Sequence, residues 1–229
     1  MFRDDKNLRY EFKYILSQSS YDYIFNWIKL SEFNFNEEYP ERKINNIYFD
    51  NYNYDCYKSN IEGLSYRVKL RLRWYNDLHK IENPNLEIKY KKNFLGWKSK
   101  LKIKNYTIKE KLNIKDITSH IYNSIDSKSK VLFESYCFPI ILNTYKRNYF
   151  ISFDKKIRIT LDREHKVFDL RNNSKINLMH SYLMPKNIIM EIKFEKKLKK
   201  IANSLLKNIP VRQSKNSKYI NSLRTVSGI

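Results

Sequence analysis

Glutamate and lysine recur two residues apart at three places: Glu11-Phe12-Lys13, Glu87-Ile88-Lys89 and Glu191-Ile192-Lys193. In an extended chain, side chains at i and i+2 leave the same face. Each pair therefore sets an anion beside a cation, with an apolar residue turned the other way. A denser pattern lies in Tyr66 to Tyr75, where Arg67, Lys69, Arg71 and Arg73 alternate with Val68, Leu70, Leu72 and Trp74. Arg147 and Arg158 stand in similarly patterned stretches. Like charges on one strand face repel unless something anionic lies against them. Arginine offers forked donors to phosphate oxygens, lysine offers a point charge, and a few carboxylates can hold a divalent ion. The chemistry that fits is phosphate chemistry. Each piece also has a plainer reading. One Glu-x-Lys pair is an ordinary ion pair on an exposed sheet, and the basic strand alone also suits a solvated edge defended against aggregation. Their joint presence on similarly patterned strands favours an anion-binding wall.

Composition agrees. The chain has 229 residues and a formal net charge of +21, from 45 Lys and Arg against 24 Asp and Glu. Such a charge suits a phosphate-rich partner. Lysine is abundant alongside Asn, Ile and Tyr, so arginine is the better witness. Cys56 and Cys137 form no disulfide framework or zinc site, and His79, His120, His165 and His180 share no metal spacing. No apolar run approaches a membrane span, and the N-terminus is too polar for a signal peptide. A soluble cytoplasmic protein without a transmembrane segment is the expectation.

The elements that must position these residues follow from periodicity. Strands are predicted at 8–16, 44–50, 65–75, 86–90, 97–104, 140–153, 157–162 and 188–194. The stretches 140–153 and 157–162 read as a hairpin across Asp154-Lys155. Helices are predicted at 17–30, from 114 to about 135, at 196–208 on Leu198, Ile201 and Leu205, and at 214–224. Residues 34–43 and 171–186 read as loops. No Gly/Ser-rich linker divides the chain, so one domain over 1–229 is expected. The fold class is α+β, a closed antiparallel sheet of about eight strands flanked by helices. With the apolar faces turned to helices, the charged faces line a polar, basic lumen. That lumen is sustainable when water, counter-ions or a polyanion fill it.

Taken in order, the chain resembles the triphosphate tunnel metalloenzymes (the CYTH-like superfamily). Within them it is most similar to the polyphosphate polymerase domain of the vacuolar transporter chaperone (VTC) type. The matching pieces are Arg9 to Tyr14, Ile47 to Asp50, Leu70 to Tyr75, Leu86 to Lys89, Tyr145 to Arg147, Ile157 to Asp162, Met190 to Lys193 and Ser217 to Tyr219. The resemblance implies an eight-stranded antiparallel tunnel binding a triphosphate and a divalent ion, Mn2+ or Mg2+. It assigns Lys13, Arg71, Arg73, Lys89, Arg147, Arg158, Lys193 and Lys218 to the phosphates. Lys13, Arg71, Arg73 and Lys89 are placed closest to catalysis. Glu191 matches the metal-binding carboxylate, with Glu11 and Glu87 as further candidates. Lys98, Lys100 and Lys215 are candidates for guiding a chain at a tunnel mouth, or plain basic surface. The resemblance is to the stand-alone bacterial form, lacking the added sensing domain and membrane helices of eukaryotic relatives. Arg9 stands where hydrolytic tunnel enzymes show an extra glutamate.

The function expected is a metal-dependent phosphotransferase that passes the ATP γ-phosphoryl group to a growing polyphosphate chain. The alternatives are a tunnel triphosphatase acting on triphosphate or a nucleoside triphosphate, and a non-enzymatic polyanion-binding or RNA-binding module. The aromatics fall mostly on apolar faces, so no specific nucleic-acid partner is expected.

Overall fold

Strict alternation becomes strand, and 3.6-residue periodicity becomes helix, along most of the chain. The computed structural model describes residues 9–93, 95–103, 107–108, 113–171, 175–209 and 211–228. Its elements are β1 (Arg9–Ser17), α1 (Tyr21–Lys29), β2 (Asn36–Asp50), α2 (Asp55–Ile61), β3 (Tyr66–Tyr75), β4 (Ile81–Glu82), β5 (Asn85–Lys92), β6 (Leu95–Lys102) and β7 (Thr107–Ile108). There follow α3 (Ile114–Ser124), α4 (Ser127–Ser135), β8 (Phe138–Ile151), β9 (Ile157–Asp169), β10 (Tyr182–Leu183), β11 (Asn187–Glu195), α5 (Lys199–Lys207) and α6 (Lys218–Ser227). Leu8 and Lys104, the outer ends of two expected strands, lie outside the described residues.

The architecture is α+β. The main sheet pairs its strands in the order β1-β11-β9-β8-β2-β3-β5-β6, with β10 beside β9, and β4 and β7 form a separate two-stranded ladder. The registered ladders are antiparallel. The path begins at β1 and ends at β6, and no ladder joins those two among the described residues. The chain divides into two compact units. One comprises Met1–Arg42, Tyr145–His165 and Pro185–Ser217; the other comprises Lys43–Thr144, Lys166–Met184 and Lys218–Ile229.

In the first unit, β1, β11 and β9 turn Tyr14, Leu16, Ile188, Met190, Ile192, Phe194, Ile157, Ile159 and Leu161 to one side, where they pack with Ile24 and Ile28 of α1 and Ala202 and Leu205 of α5. Each such side chain contributes roughly 1.5–3 kcal/mol by leaving water. In the second unit, Val68, Leu70, Leu72 and Trp74 of β3 and Leu86 and Ile88 of β5 pack with Ile117 and Ile121 of α3 and Phe133 of α4. The apolar faces thus meet helices, as the alternation predicts, and the charged faces turn the other way.

Several expectations need correction. The stretch 34–43 is not a loop, because β2 starts at Asn36. There Tyr39 meets Tyr149 edge-on at 5.6 Å and Arg42 lies 4.3 Å over the Tyr39 ring, so aromatic contacts hold a strand with little apolar alternation. The helix expected from 114 to 135 is two, because Asp126 caps α4 by accepting the Ser129 amide at 2.9 Å. Ile201 is 53% exposed, and the buried stripe of α5 runs through Ala202 instead. α2 was not anticipated, and α6 begins at Lys218 rather than near 214. β9 continues past Asp162 through Glu164, whose φ of 56° interrupts the alternation there.

Candidate functional site

The first unit carries a checkerboard of charge. Register sets Glu11 opposite Lys193 and Lys193 opposite Arg158, and in the next row Lys13 opposite Glu191 and Glu191 opposite Thr160. Lys13 Nζ lies 3.0 Å from Glu11 and 3.5 Å from Glu191, and Lys193 Nζ lies 2.6 Å from Glu191 and 4.0 Å from Glu11. The backbone of Asn216 fixes Lys13 further, accepting from Nζ at 3.0 Å, while the Ser214 amide donates to the Lys13 carbonyl at 2.8 Å. Arg158 is half exposed and held by Glu38 at 3.0 Å. Arg147 is buried and forks onto Asp162, donating from Nη2 to Oδ2 at 2.7 Å and from Nε to Oδ1. Burial works against ionisation of Glu191, but Lys193 and Lys13 outweigh it and hold the carboxyl well below the usual range. This face is nearly self-neutralised.

The face of the second unit is richer in cations. Arg67, Lys69, Arg71 and Arg73 of β3 point with Lys89 and Lys91 of β5 and Lys98, Lys100 and Lys102 of β6. Lys69, Lys89 and Lys98 are directly opposed in register, and like charges so placed repel. The carboxylate in these rows is Glu87. It accepts from Arg71 Nε at 2.9 Å and Nη2 at 2.6 Å, and lies 3.6 Å from Arg73 Nη1. Arg71 also donates to the Tyr48 hydroxyl at 3.3 Å, and Arg73 Nε donates to Asn46 Oδ1 at 2.8 Å.

Both arginines are tied through β2 to α6, the helix that Lys218 opens. Asn46 Nδ2 donates to Asn143 Oδ1 at 3.0 Å, and Asn143 Nδ2 donates to Ser222 Oγ at 3.4 Å. One turn back on α6, Tyr219 stacks on Tyr48 with ring centroids 5.4 Å apart and donates to Asp50 Oδ2 at 2.6 Å. Asp50 is fully buried and also accepts the amides of Asn51, Cys56 and Tyr57. It is a structural anchor for the helix start.

The structure therefore brings Glu11, Lys13, Arg147, Arg158, Glu191 and Lys193 onto one face of the first unit. It brings Arg71, Arg73, Glu87 and Lys89 onto one face of the second. Lys98 and Lys100 continue that second face at the β6 edge, and Lys215 is exposed in the segment beside Lys13. The sequence reading missed Asp162, Asn46 and Tyr48 as partners of the arginines, and Asn143 as the partner behind Asn46. Their signal was a polar residue inside an otherwise apolar strand.

Glu11, Glu87 and Glu191 are the candidate ligands for a divalent ion. Among the described residues no group of three His, Cys, Asp or Glu could hold a metal by itself. Glu191 and Glu11 share both lysines within 4.0 Å. Ions of the Mg2+ type are commonly held by one or two carboxylates and completed by substrate phosphates. The pair fits that donor set. Glu87 is committed to the two arginines.

Glu87 also fixes an acid response. Burial raises its pKa, Arg71 and Arg73 lower it by more, and the carboxyl falls from its ordinary 4.5 to about 2. A depressed folded-state value stabilises the fold above the unfolded pKa, and that share is lost as pH falls from 4.5 towards 2. The linkage amounts to about 3 kcal/mol at neutral pH. Glu87→Gln is expected to lose about that much at pH 7 and to flatten the fall in stability below pH 4.5. Urea titrations across pH measure it, and an acid slope equal to that of the native protein would contradict it.

Strand order and the helices packed on the apolar faces define the class, an α+β protein built on a largely antiparallel sheet. The VTC domain family model matches residues 8–227, and the chain belongs to that family. A Vibrio parahaemolyticus protein named as an adenylate cyclase superposes with a TM-score of 0.54 at 12% identity, over 93% of this chain and 96% of that one, which shows a shared fold. The PH1819 protein of Pyrococcus horikoshii OT3 superposes with a TM-score of 0.49 at 14% identity, over 96% of this chain and 98% of that one. Comparison with curated protein sequences finds no match. No helix among the described residues is long and apolar enough to cross a membrane.

Proposed function

We propose that this protein is a metal-dependent polyphosphate polymerase, transferring the ATP γ-phosphoryl group to a growing polyphosphate chain and releasing ADP. The observation that carries the reading is the second unit's face, where the cations of β3, β5 and β6 register across three strands with Glu87 among them. A polymeric phosphate supplies a run of anions to such rows. Arg71, Arg73 and Lys89 grip phosphates there, with Glu87 and Asn46 aiming the arginines. Lys13, Lys193, Arg147 and Arg158 bind phosphates from the first unit, and Lys218 from the start of α6. Glu191 with Glu11 would hold Mn2+ or Mg2+, which when bound supplies charge neutralisation at the transferring group. The attacking group is a phosphate anion at neutral pH, so catalysis is mostly positioning and electrostatics and needs no strong base. The reading takes 1–229 as one cytoplasmic catalytic domain and includes closure of the strands into the tunnel typical of the triphosphate tunnel metalloenzymes.

Incubation with ATP and Mn2+, with products resolved by length, tests it. A ladder of phosphate chains together with ADP is the expected result. Free phosphate alone would make the protein a triphosphatase. Salt-sensitive binding without turnover would leave a polyanion-binding module.

A further inference from the structure

Thr160 occupies the row Lys13–Glu191–Thr160 of the first unit, on the charged face of β9. The residue is 9% exposed, and its Oγ1 is buried with no hydrogen-bond partner among the described residues. Folds rarely keep such an orphan without a reason, because a buried hydroxyl has lost its water without replacement. Its neighbours on the same face are satisfied: Arg158 takes Glu38, and Asp162 takes Arg147. The residues between them, Ile159 and Leu161, are buried on the opposite, apolar face. Nothing about packing on that side calls for the hydroxyl.

The groups facing Thr160 narrow its partner. Lys13 and Lys193 carry donors and no acceptor, so neither can receive the hydroxyl proton. Glu191, across the ladder, turns one oxygen to Lys193 at 2.6 Å and the other to Lys13 at 3.5 Å. A hydroxyl in a row of paired charges, with its proton unused, can donate to an anion that the neighbouring Lys13, Lys193 and Arg158 attract. We propose that Thr160 is a substrate-binding residue. Its hydroxyl donates to a non-bridging oxygen of the phosphoryl group held by Lys13, Lys193 and Arg158. The inference rests on the polyphosphate reading above and adds a neutral donor to a set otherwise made of charges. A methyl-bearing hydroxyl of fixed rotamer also orients the phosphoryl group, which mobile lysines do poorly.

The test compares Thr160→Val, Thr160→Ser and the native protein in calorimetric binding of inorganic tripolyphosphate, beside thermal unfolding without ligand. Valine keeps the shape and deletes the hydroxyl. It is expected to weaken tripolyphosphate binding about 10- to 100-fold, as loss of a charge-assisted hydrogen bond should, while the ligand-free melting temperature stays level or rises. Serine is expected to stay within about threefold of native binding, since it keeps the hydroxyl. Native binding in the valine variant would overturn the inference and leave the polymerase reading standing. Failure of the native protein to bind tripolyphosphate would overturn both. A drop in the melting temperature of the valine variant would show a structural partner for the hydroxyl and also overturn the inference.

Discussion

Replacing Asp162 with Asn is expected to lower the unfolding free energy by about 3–5 kcal/mol, the usual result of stripping one partner from a buried ion pair. Asp162 has 0% exposure and Arg147 8%. The guanidinium is gripped at two points, with its carbon 5.4 Å from the Tyr145 ring centre and 5.8 Å from that of Tyr149. Burial disfavours the charged guanidinium, and the Asp162 carboxylate more than reverses this, holding its pKa well above the usual value. Asparagine keeps the shape and removes the charge, so Arg147 is left cationic with little water to turn to. The double variant Arg147→Met/Asp162→Leu is expected to recover most of that loss, because an apolar pair of similar volume removes the desolvation cost altogether. It should still be inactive, since Arg147 is a proposed phosphate ligand. Urea unfolding of the three proteins decides the matter. A loss below about 1 kcal/mol in the asparagine variant would mean that the pair behaves like a surface bridge.

That pair also shows what could be read from sequence and what could not. Alternation identified β1, β3, β9 and β11 and their charged faces, because which face a strand residue takes is a local property of an extended chain. Lys13, Arg71, Arg73, Arg147, Arg158, Glu191 and Lys193 were therefore legible one strand at a time. Their partners were not. Asn46 and Asn143 are 97 positions apart, and Lys13 and Asn216 are 203 apart. Nothing local says that one amide relay ends on Arg73 or that one carbonyl fixes Lys13. Where hydrophobicity carried no alternation, as in Asn36 to Lys43, the strand was missed altogether. The break between α3 and α4 was present in the sequence as Asp126 followed by Ser129, but the isoleucine periodicity across it was the louder signal. The role of Glu87 is the instructive case. Spacing made it equivalent to Glu11 and Glu191, and only pairing separates a carboxylate that aims two arginines from carboxylates shared between lysines.

Glu191→Gln is the variant with the largest expected effect on turnover, a fall in kcat of about 10²–10³-fold with ATP and divalent metal. Glu191 is as buried as Glu87, yet its neighbours differ. Lys13 and Lys193 are 26% and 35% exposed in the side chain, so both can swing to water when the carboxylate is lost. The stability cost is therefore expected to stay below about 2 kcal/mol, in contrast to Asp162, whose partner has nowhere to go. Binding separates a site residue from a structural one. Removing a negative charge leaves Glu11 as the carboxylate shared by Lys13 and Lys193 and makes this face more positive, so metal-free tripolyphosphate should bind the variant more tightly than the native protein while turnover falls. Those opposite signs are hard to produce by misfolding, which lowers both. The ionised state needed for the native behaviour is secure at neutral pH, since the two lysines hold the Glu191 carboxyl well below the usual range. Full turnover in the glutamine variant would place the divalent ion elsewhere. Weakened metal-free binding would instead make Glu191 a scaffold for the lysines.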